Sequence, residues 1–402
     1  MKKADFSKYE LSFLVSLSIA MALRQFVMVL IMPFLALYGN SLKNSTPTLV
    51  GLSLGIYGLM QGFAQIPMGR MSDRIGRKNG IAIGSVVMIV GLVMAVFARD
   101  IYMLIAARAI QGLGAIAAIC YSWIGDNISE DRRNRAMSFA GMFMGISATL
   151  GFIGGPVAYS LIPVPDIFAA CAVLTVFSWL YIQLFLREER PEMHANPEKV
   201  DYLALFRNKV FLKLTLTALI ISFLMISVFF IVPQMLEKSI GAGSMWKIFI
   251  PATLFGIVVM RFASHYADKG HFAAVACFSM IAIIISGVFF MLHSTFLIFL
   301  GMMLFMPAYM SMNTMLSASV TKLSTRSIRG AVTGVYNTVQ FMGSFLGGAL
   351  SGTLWGMNHI LPSFAIILAG LAGIFLTSKL LSNSFVPVST INLLSAGNKL
   401  AE

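Results

Sequence analysis

Long apolar runs separated by short polar clusters fill the chain from Leu11 to about residue 381. A helix needs roughly 20 predominantly apolar residues to cross about 30 Å of hydrocarbon. Read on that scale, the pattern predicts spans at 11–38, 48–68, 79–98, 101–124, 135–160 and 165–186. Six more follow at 210–236, 246–266, 271–292, 295–318, 330–355 and 360–381. The longest polar stretch, 187–208, falls between the sixth and seventh spans and reads as a linker. The expected architecture is an all-α membrane protein of twelve transmembrane helices. Residues 1–186 form one six-helix bundle and residues 209–402 a second, pseudo-symmetric one.

Composition supports the membrane reading. Hydrophobic residues are 58% of the chain and charged residues 11%, against about 25% charged in soluble domains. The first apolar run is too long for a cleaved signal segment and reads as a permanent span. A net charge of +13 would fit a nucleic-acid binder, but its placement argues against one. Of 29 Lys and Arg residues, 23 fall in loops on one side of the predicted topology, four on the other, and two inside spans. That asymmetry is the positive-inside rule, and it places both termini in the cytoplasm. The two embedded cations are Arg24 and Arg108. Cys120, Cys171 and Cys277 lie in apolar runs without metal-ligand spacing, so neither a disulfide framework nor a metal site is expected, and no cofactor is implied.

The two halves read as a duplication. Asp73 and Asp268 are offset by 195 residues, Arg135 and Arg329 by 194, and Gly154-Gly155 and Gly347-Gly348 by 193. Internal repeats of this kind are common in secondary transporters. In the second span Gly51, Gly55, Gly58 and Gly62 share one helix face. Small residues let helix backbones approach closely in lipid, either as static packing or as a surface that slides.

Residues 69–78, GRMSDRIGRK, resemble the signature loop that the major facilitator superfamily carries between its second and third helices. Gly69, Asp73, Arg74, Gly76, Arg77 and Lys78 match the pattern G-x-L-x-D-R-x-G-R-K, and Met71 stands where it has leucine. Residues 108–116, RAIQGLGAI, resemble the family's R-x-x-Q-G-x-G pattern in span four. In span five Gly151, Gly155 and Pro156 resemble the G-x-x-x-G-P motif of drug–proton exporters, although Tyr159 and Ser160 replace the glycine pair that normally follows. Residues 23–39 add to the likeness to twelve-helix multidrug:proton antiporters.

The resemblance implies alternating access in a multi-pass protein of a bacterial or archaeal inner membrane. It implies a monomer in the lipid bilayer that handles a small-molecule substrate, with protons as the coupling ion. Gly69 and Gly76 are expected to permit tight turns. Asp73 could bind the positive N-terminus of span eleven when the cavity opens outward, and Arg77 and Asp126 are expected to pair. Together these residues form a candidate conformational switch.

Arg24, Gln25, Arg108 and Gln111 are candidates for substrate binding or coupling, because embedded arginines normally face a bundle interior or a wet cavity. Both arginines are expected to face one continuous wet volume. Tyr309 and Asn313 in span ten are further candidates, beside Met28, Phe230 and Phe305. No Asp, Glu or His lies near the middle of any predicted span. Proton antiport is therefore an implication of the resemblance and not a reading of embedded carboxylates. Export of drugs or amphipathic metabolites and import of small organic anions both remain open, the latter favoured by the two arginines. An intramembrane enzyme would want H-E-x-x-H, which does not occur, or G-x-S-x-G, which occurs once, at residues 51–55, within the glycine face of span two and not at a strand-to-helix turn. A receptor or scaffold would not need the signature segment.

Overall fold

The computed structural model describes residues 6–186, 202–323 and 329–378. The chain enters through α1 (Lys8–Ile31), begun by a reciprocal cap in which the Ser7 and Glu10 side chains each accept the other's backbone N–H. Around Pro33 this helix breaks and continues as α2 (Leu35–Ser41). Next come α3 (Pro47–Ile75), capped by Thr46, and α4 (Arg77–Val96). The fourth span is two helices, α5 (Ile101–Leu113) and α6 (Ala117–Asn127). The first half ends with α7 (Glu130–Leu161) and α8 (Val164–Phe185).

A short α9 (Tyr202–Arg207) precedes the second half. There α10 (Lys209–Ile240), α11 (Trp246–Tyr266), α12 (Phe272–Met291), α13 (Thr295–Leu323), α14 (Arg329–Met357) and α15 (Leu361–Ser378) follow in order. Ten stretches are long and apolar enough to cross a membrane, and one of them, Ala242–Met291, contains both α11 and α12. With α14 added, twelve spanning units are present among the described residues. No β-strand occurs among them. Most of the expected linker, residues 187–201, lies outside the described residues.

The repeat is visible in the backbone. Gly76 turns the chain between α3 and α4 at φ +96°, and Gly270 turns it between α11 and α12 at φ +97°. Residues with a Cβ resist that left-handed region. The glycines of α7 and α14 also serve matching contacts. A Cβ on Gly151 would stand 2.9 Å from the Val29 Cβ of α1, and one on Gly155 would fall on the Leu30 carbonyl. In the second half a Cβ on Gly347 would stand 3.0 Å from the Phe223 Cα of α10. In each half, therefore, the fifth helix lies backbone-to-backbone against the first.

Across the halves, α3 packs along α14 through the predicted glycine face. The seam is not parallel. A Cβ on Gly51 would strike the Gly348 carbonyl and stand 2.8 Å from the Gly352 Cα. On Gly55 it would stand 2.7 Å from the Phe345 carbonyl oxygen, on Gly58 3.0 Å from Ser344, and on Gly62 3.5 Å from Phe341 and Thr338. Two turns further, a Cβ on Gly69 meets nothing within 4 Å, and neither does one on Gly334 of α14. The helices touch at the end near Pro47 and diverge toward the end that bears the signature segment.

Other contacts close the same end. Asn40 of α2 donates to Gln234 of α10 at 3.1 Å. The rings of Phe152 on α7 and Phe229 on α10 stand 5.3 Å apart, and Phe249 of α11 extends the group at 5.5 Å from Phe229.

Candidate functional site

The signature segment is mostly helix. α3 runs on to Ile75, so Gly69 lies inside a helix and not in a turn, contrary to the expectation for that residue. Gly76 alone supplies the tight turn. Arg77 opens α4 immediately after it, which aims its guanidinium back along the end of α3 and across to the end of α6. There Arg77 Nε donates to Asp126 Oδ2 at 2.8 Å, and Nη1 donates to Ser72 Oγ at 2.8 Å and to Asp73 Oδ1. The Arg77 side chain is 15% exposed, against 28% for Asp126 and 58% for Asp73.

Asp73 thus pairs within its own half in this structure. Arg74 is exposed and Lys78 half-buried on the same end. The second half has a comparable tie: Asp268, the counterpart of Asp73, accepts at 2.8 Å from Nζ of Lys322, which lies near the end of α13. A third tie joins α1 to α7, where Arg132 Nη1 donates to Glu10 at 2.7 Å.

Deeper in the first half, the embedded arginines meet on one tyrosine. Arg24 Nη2 donates to the Gly114 carbonyl at 3.1 Å and lies 3.4 Å from the Tyr57 hydroxyl oxygen. Arg108 lies over the Tyr57 ring, 4.7 Å from its centroid, and donates from Nη1 to Gln111 Oε1 at 2.7 Å. Gln111 in turn donates to the Gly91 carbonyl at 3.0 Å. Arg108 is 1% exposed and Arg24 7%. The expectation that both face an open wet volume is therefore corrected. Arg108 is sealed by the packing of α3, α4 and α5, and half-buried Tyr57 stands between the two cations. Gln25 is half-buried beside Arg24 on α1.

The cause of this arrangement is the break in span four, which the sequence reading passed over. A Cβ on Gly112 would stand 2.8 Å from the Met60 Cβ of α3, and one on Gly114 3.0 Å from the Met88 Cβ of α4. The close approach of these backbones leaves residues 114–116 non-helical at membrane depth. Such backbone is tolerated only where protein or water satisfies it, and the Arg24 fork takes the freed Gly114 carbonyl.

Tyr309 and Asn313 lie apart from this group, on α13 in the second half. Tyr309 stacks on Phe305, and Asn313 accepts from Gln340 of α14 at 2.9 Å. Tyr336, also on α14, is 2% exposed with no partner for its hydroxyl among the described residues. Of the candidate motif residues, Gly151 and Gly155 line the α1–α7 contact, and Pro156 follows them inside α7. Tyr57 and Gln340 are the polar participants that sequence reading missed, and the acceptor role of Gly114 within the R-x-x-Q-G-x-G segment was not foreseen. The one available signal was a polar side chain inside an otherwise apolar span.

Twelve helical spans in two repeated halves, joined by a seam that closes at one end and opens at the other, define a membrane transporter of the two-bundle type. The chain belongs to the Major Facilitator Superfamily, whose family model matches residues 17–348. It is 30% identical over 367 residues to the inner membrane transport protein YajR of Escherichia coli, covering 89% of this chain and 80% of that one. A shorter match, 30% over 175 residues, joins it to the class H tetracycline resistance protein of Pasteurella multocida, covering 42% of this chain and 44% of the relative. Among solved structures it is similar to a D-xylose–proton symporter, at TM-score 0.78 and 14% identity over 95% of this chain and 99% of that chain. The likeness to that symporter concerns the fold alone.

Proposed function

We propose that this transporter carries out proton-coupled export of drugs or amphipathic metabolites by alternating access, through rocking of bundles 1–186 and 209–402 about the α3–α14 seam. The observation that carries the reading is the wedge along that seam, tight at Gly51 and open at Gly69. Taking the basic side as cytoplasmic, the structure is an inward-facing state. Export is favoured by the shorter match to a tetracycline resistance protein and by the G-x-x-x-G-P segment that presses α7 onto α1. The Arg77 cluster then serves as the switch, keeping α3, α4 and α6 together as one rigid end while the halves move. A specific observation favours a second reading, transport of organic anions: Arg24 and Arg108 lack any carboxylate partner among the described residues.

Flux in proteoliposomes under an imposed pH gradient tests the proposal. Gradient-driven movement of lipophilic drugs out of the side corresponding to the cytoplasm is expected. Flux indifferent to the gradient would reject proton coupling.

Orientation has its own test. Reporter fusions at Lys43 and at Lys269 are expected to report opposite sides, with Lys269 cytoplasmic. Equal signals from the two would overturn the assignment.

A further inference from the structure

Two guanidinium groups are buried within reach of one tyrosine, and all of their partners are neutral. Arg24 meets a backbone carbonyl and a phenol; Arg108 meets an amide and an aromatic face. The Nε–H of each is buried without an acceptor. Neither side chain joins an ion pair among the described residues. A buried lysine could shed its proton, but arginine keeps its charge. The uncompensated burial of an ion costs several kcal/mol, so a stable protein with two such ions needs a balancing group from outside its own described side chains.

The break in span four adds a third positive element. The first turn of α6 starts at Ala117, in the membrane, with no side-chain cap. Backbone bonds near the break run from Gly114 N–H to Gln111, from Ala115 N–H to Leu113 and from Cys120 N–H to Ile116. A helix start presents spare N–H donors and partial positive charge, a combination suited to anions. The Gly114 carbonyl, freed at the break, is already held by Arg24. Tyr57 is the half-buried member, and its hydroxyl retains a proton to donate.

We infer that Arg24, Tyr57 and the broken span four form the subsite for an oxyanion headgroup (carboxylate, sulfonate or phosphate) on an otherwise apolar transported molecule. Arg24 supplies the planar donor fork and Tyr57 an O–H. Arg108, sealed behind the tyrosine ring, is a positioning residue that adds positive potential without touching the ligand. The inference rests on the transporter reading but on neither its direction nor its proton coupling.

Ligand-dependent thermal stabilisation of the purified full-length protein tests it, because it needs no flux. The probes are benzoate, benzenesulfonate, phenyl phosphate, benzyl alcohol and benzylammonium, compared at constant ionic strength. The three anions are expected to raise the unfolding temperature, as any ligand selective for the native state does, and the alcohol and the cation are not. The anion with the lowest half-effect concentration identifies the headgroup. Arg24→Gln should raise that concentration about tenfold or more, the loss expected for a charge-assisted bond. Arg24→Lys should recover part of it, since charge survives while the fork is lost. Tyr57→Phe, which keeps the ring under Arg108, should weaken anions by a smaller factor and carries the test if Arg24→Gln fails to fold. Stabilisation by benzylammonium at lower concentrations than benzoate would overturn the inference. So would an anion response unchanged in the folded variants, or no response in the wild type. Proton-driven export of a lipophilic cation that Arg24→Gln leaves unaffected would defeat this inference while leaving the export reading intact.

Discussion

Gly51→Leu is expected to abolish most transport while leaving the protein inserted and folded. Gly51 faces backbone and not a yielding side chain: a Cβ there would strike the Gly348 carbonyl and stand 2.8 Å from the Gly352 Cα. A leucine can enter only if α3 and α14 separate at their closed end. Overpacking of this kind costs about 1–3 kcal/mol, and here the cost falls on only one of the two transport states. A differential of that size shifts a two-state population about 5–150-fold. The variant should therefore rest with the Pro47 end open. A cysteine introduced at Asn40, after replacement of the three natural cysteines, should label faster with an impermeant maleimide in Gly51→Leu than in the parent. Gly243→Ala, where a Cβ meets nothing within 4 Å, is the control and should behave as wild type. Wild-type flux with unchanged labelling in Gly51→Leu would show that the seam does not close during transport.

Arg77→Ala is expected to produce the largest loss of stability at the basic end. One guanidinium holds Asp126, Asp73 and Ser72, joining α3, α4 and α6 beyond the apolar cluster that Met68, Ile81, Ile119 and Trp123 form between the same helices. Hydrogen bonds to charged groups are worth about 1.5–3 kcal/mol, and the variant should lose a total in that range because solvent reaches both carboxylates once the cation is gone. Arg77→Lys should lose less, since an ammonium can serve one carboxylate at a time but not the fork. The two acids should differ. Asp73 is 58% exposed and Asp126 28%, and exposed ion pairs contribute about 0–1 kcal/mol, so Asp126→Asn should cost more stability than Asp73→Asn. Thermal unfolding of the four purified variants measures the order. Equal stability of Arg77→Ala and wild type would remove the cluster from the structural account, and its role in transport would have to rest on another state.

The comparison of Asp73 and Asp126 shows how far a linear reading can reach. The spacing of residues 69–78 and the position of Asp126 at the end of span four were enough to anticipate the Arg77–Asp126 pair, because both lie at helix ends on one face of the membrane. The same reading put Gly69 in a turn. It lies in continuous helix because α3 has no break before Gly76, and a glycine by itself cannot say whether a helix stops or is approached. Asp73 is expected at the start of span eleven only when the cavity opens outward; this structure is tight at the Pro47 end and shows Asp73 on Arg77 of its own half.

What the sequence determined by itself is the set of spans, their duplication and the sidedness of their charge. These follow from local quantities: the length of hydrocarbon a helix must cross, the period of the α-helix and the count of cations in each loop. The glycine face of α3 was also legible, because Gly51, Gly55, Gly58 and Gly62 recur at helical spacing. Its partner was not, since periodicity marks a face without naming what meets it. The tertiary structure decided that α14 fills that face, that contact tightens at Gly51 and fades by Gly69, and that Arg24 and Arg108 share Tyr57. It also decided the break at residues 114–116, where Gly112 and Gly114 mark a weak point without saying whether the helix stops or is only approached. That break arises because α3 and α4 press against Gly112 and Gly114 from either side, and the packing energy of segments so far apart along the chain leaves no mark in local residue pattern.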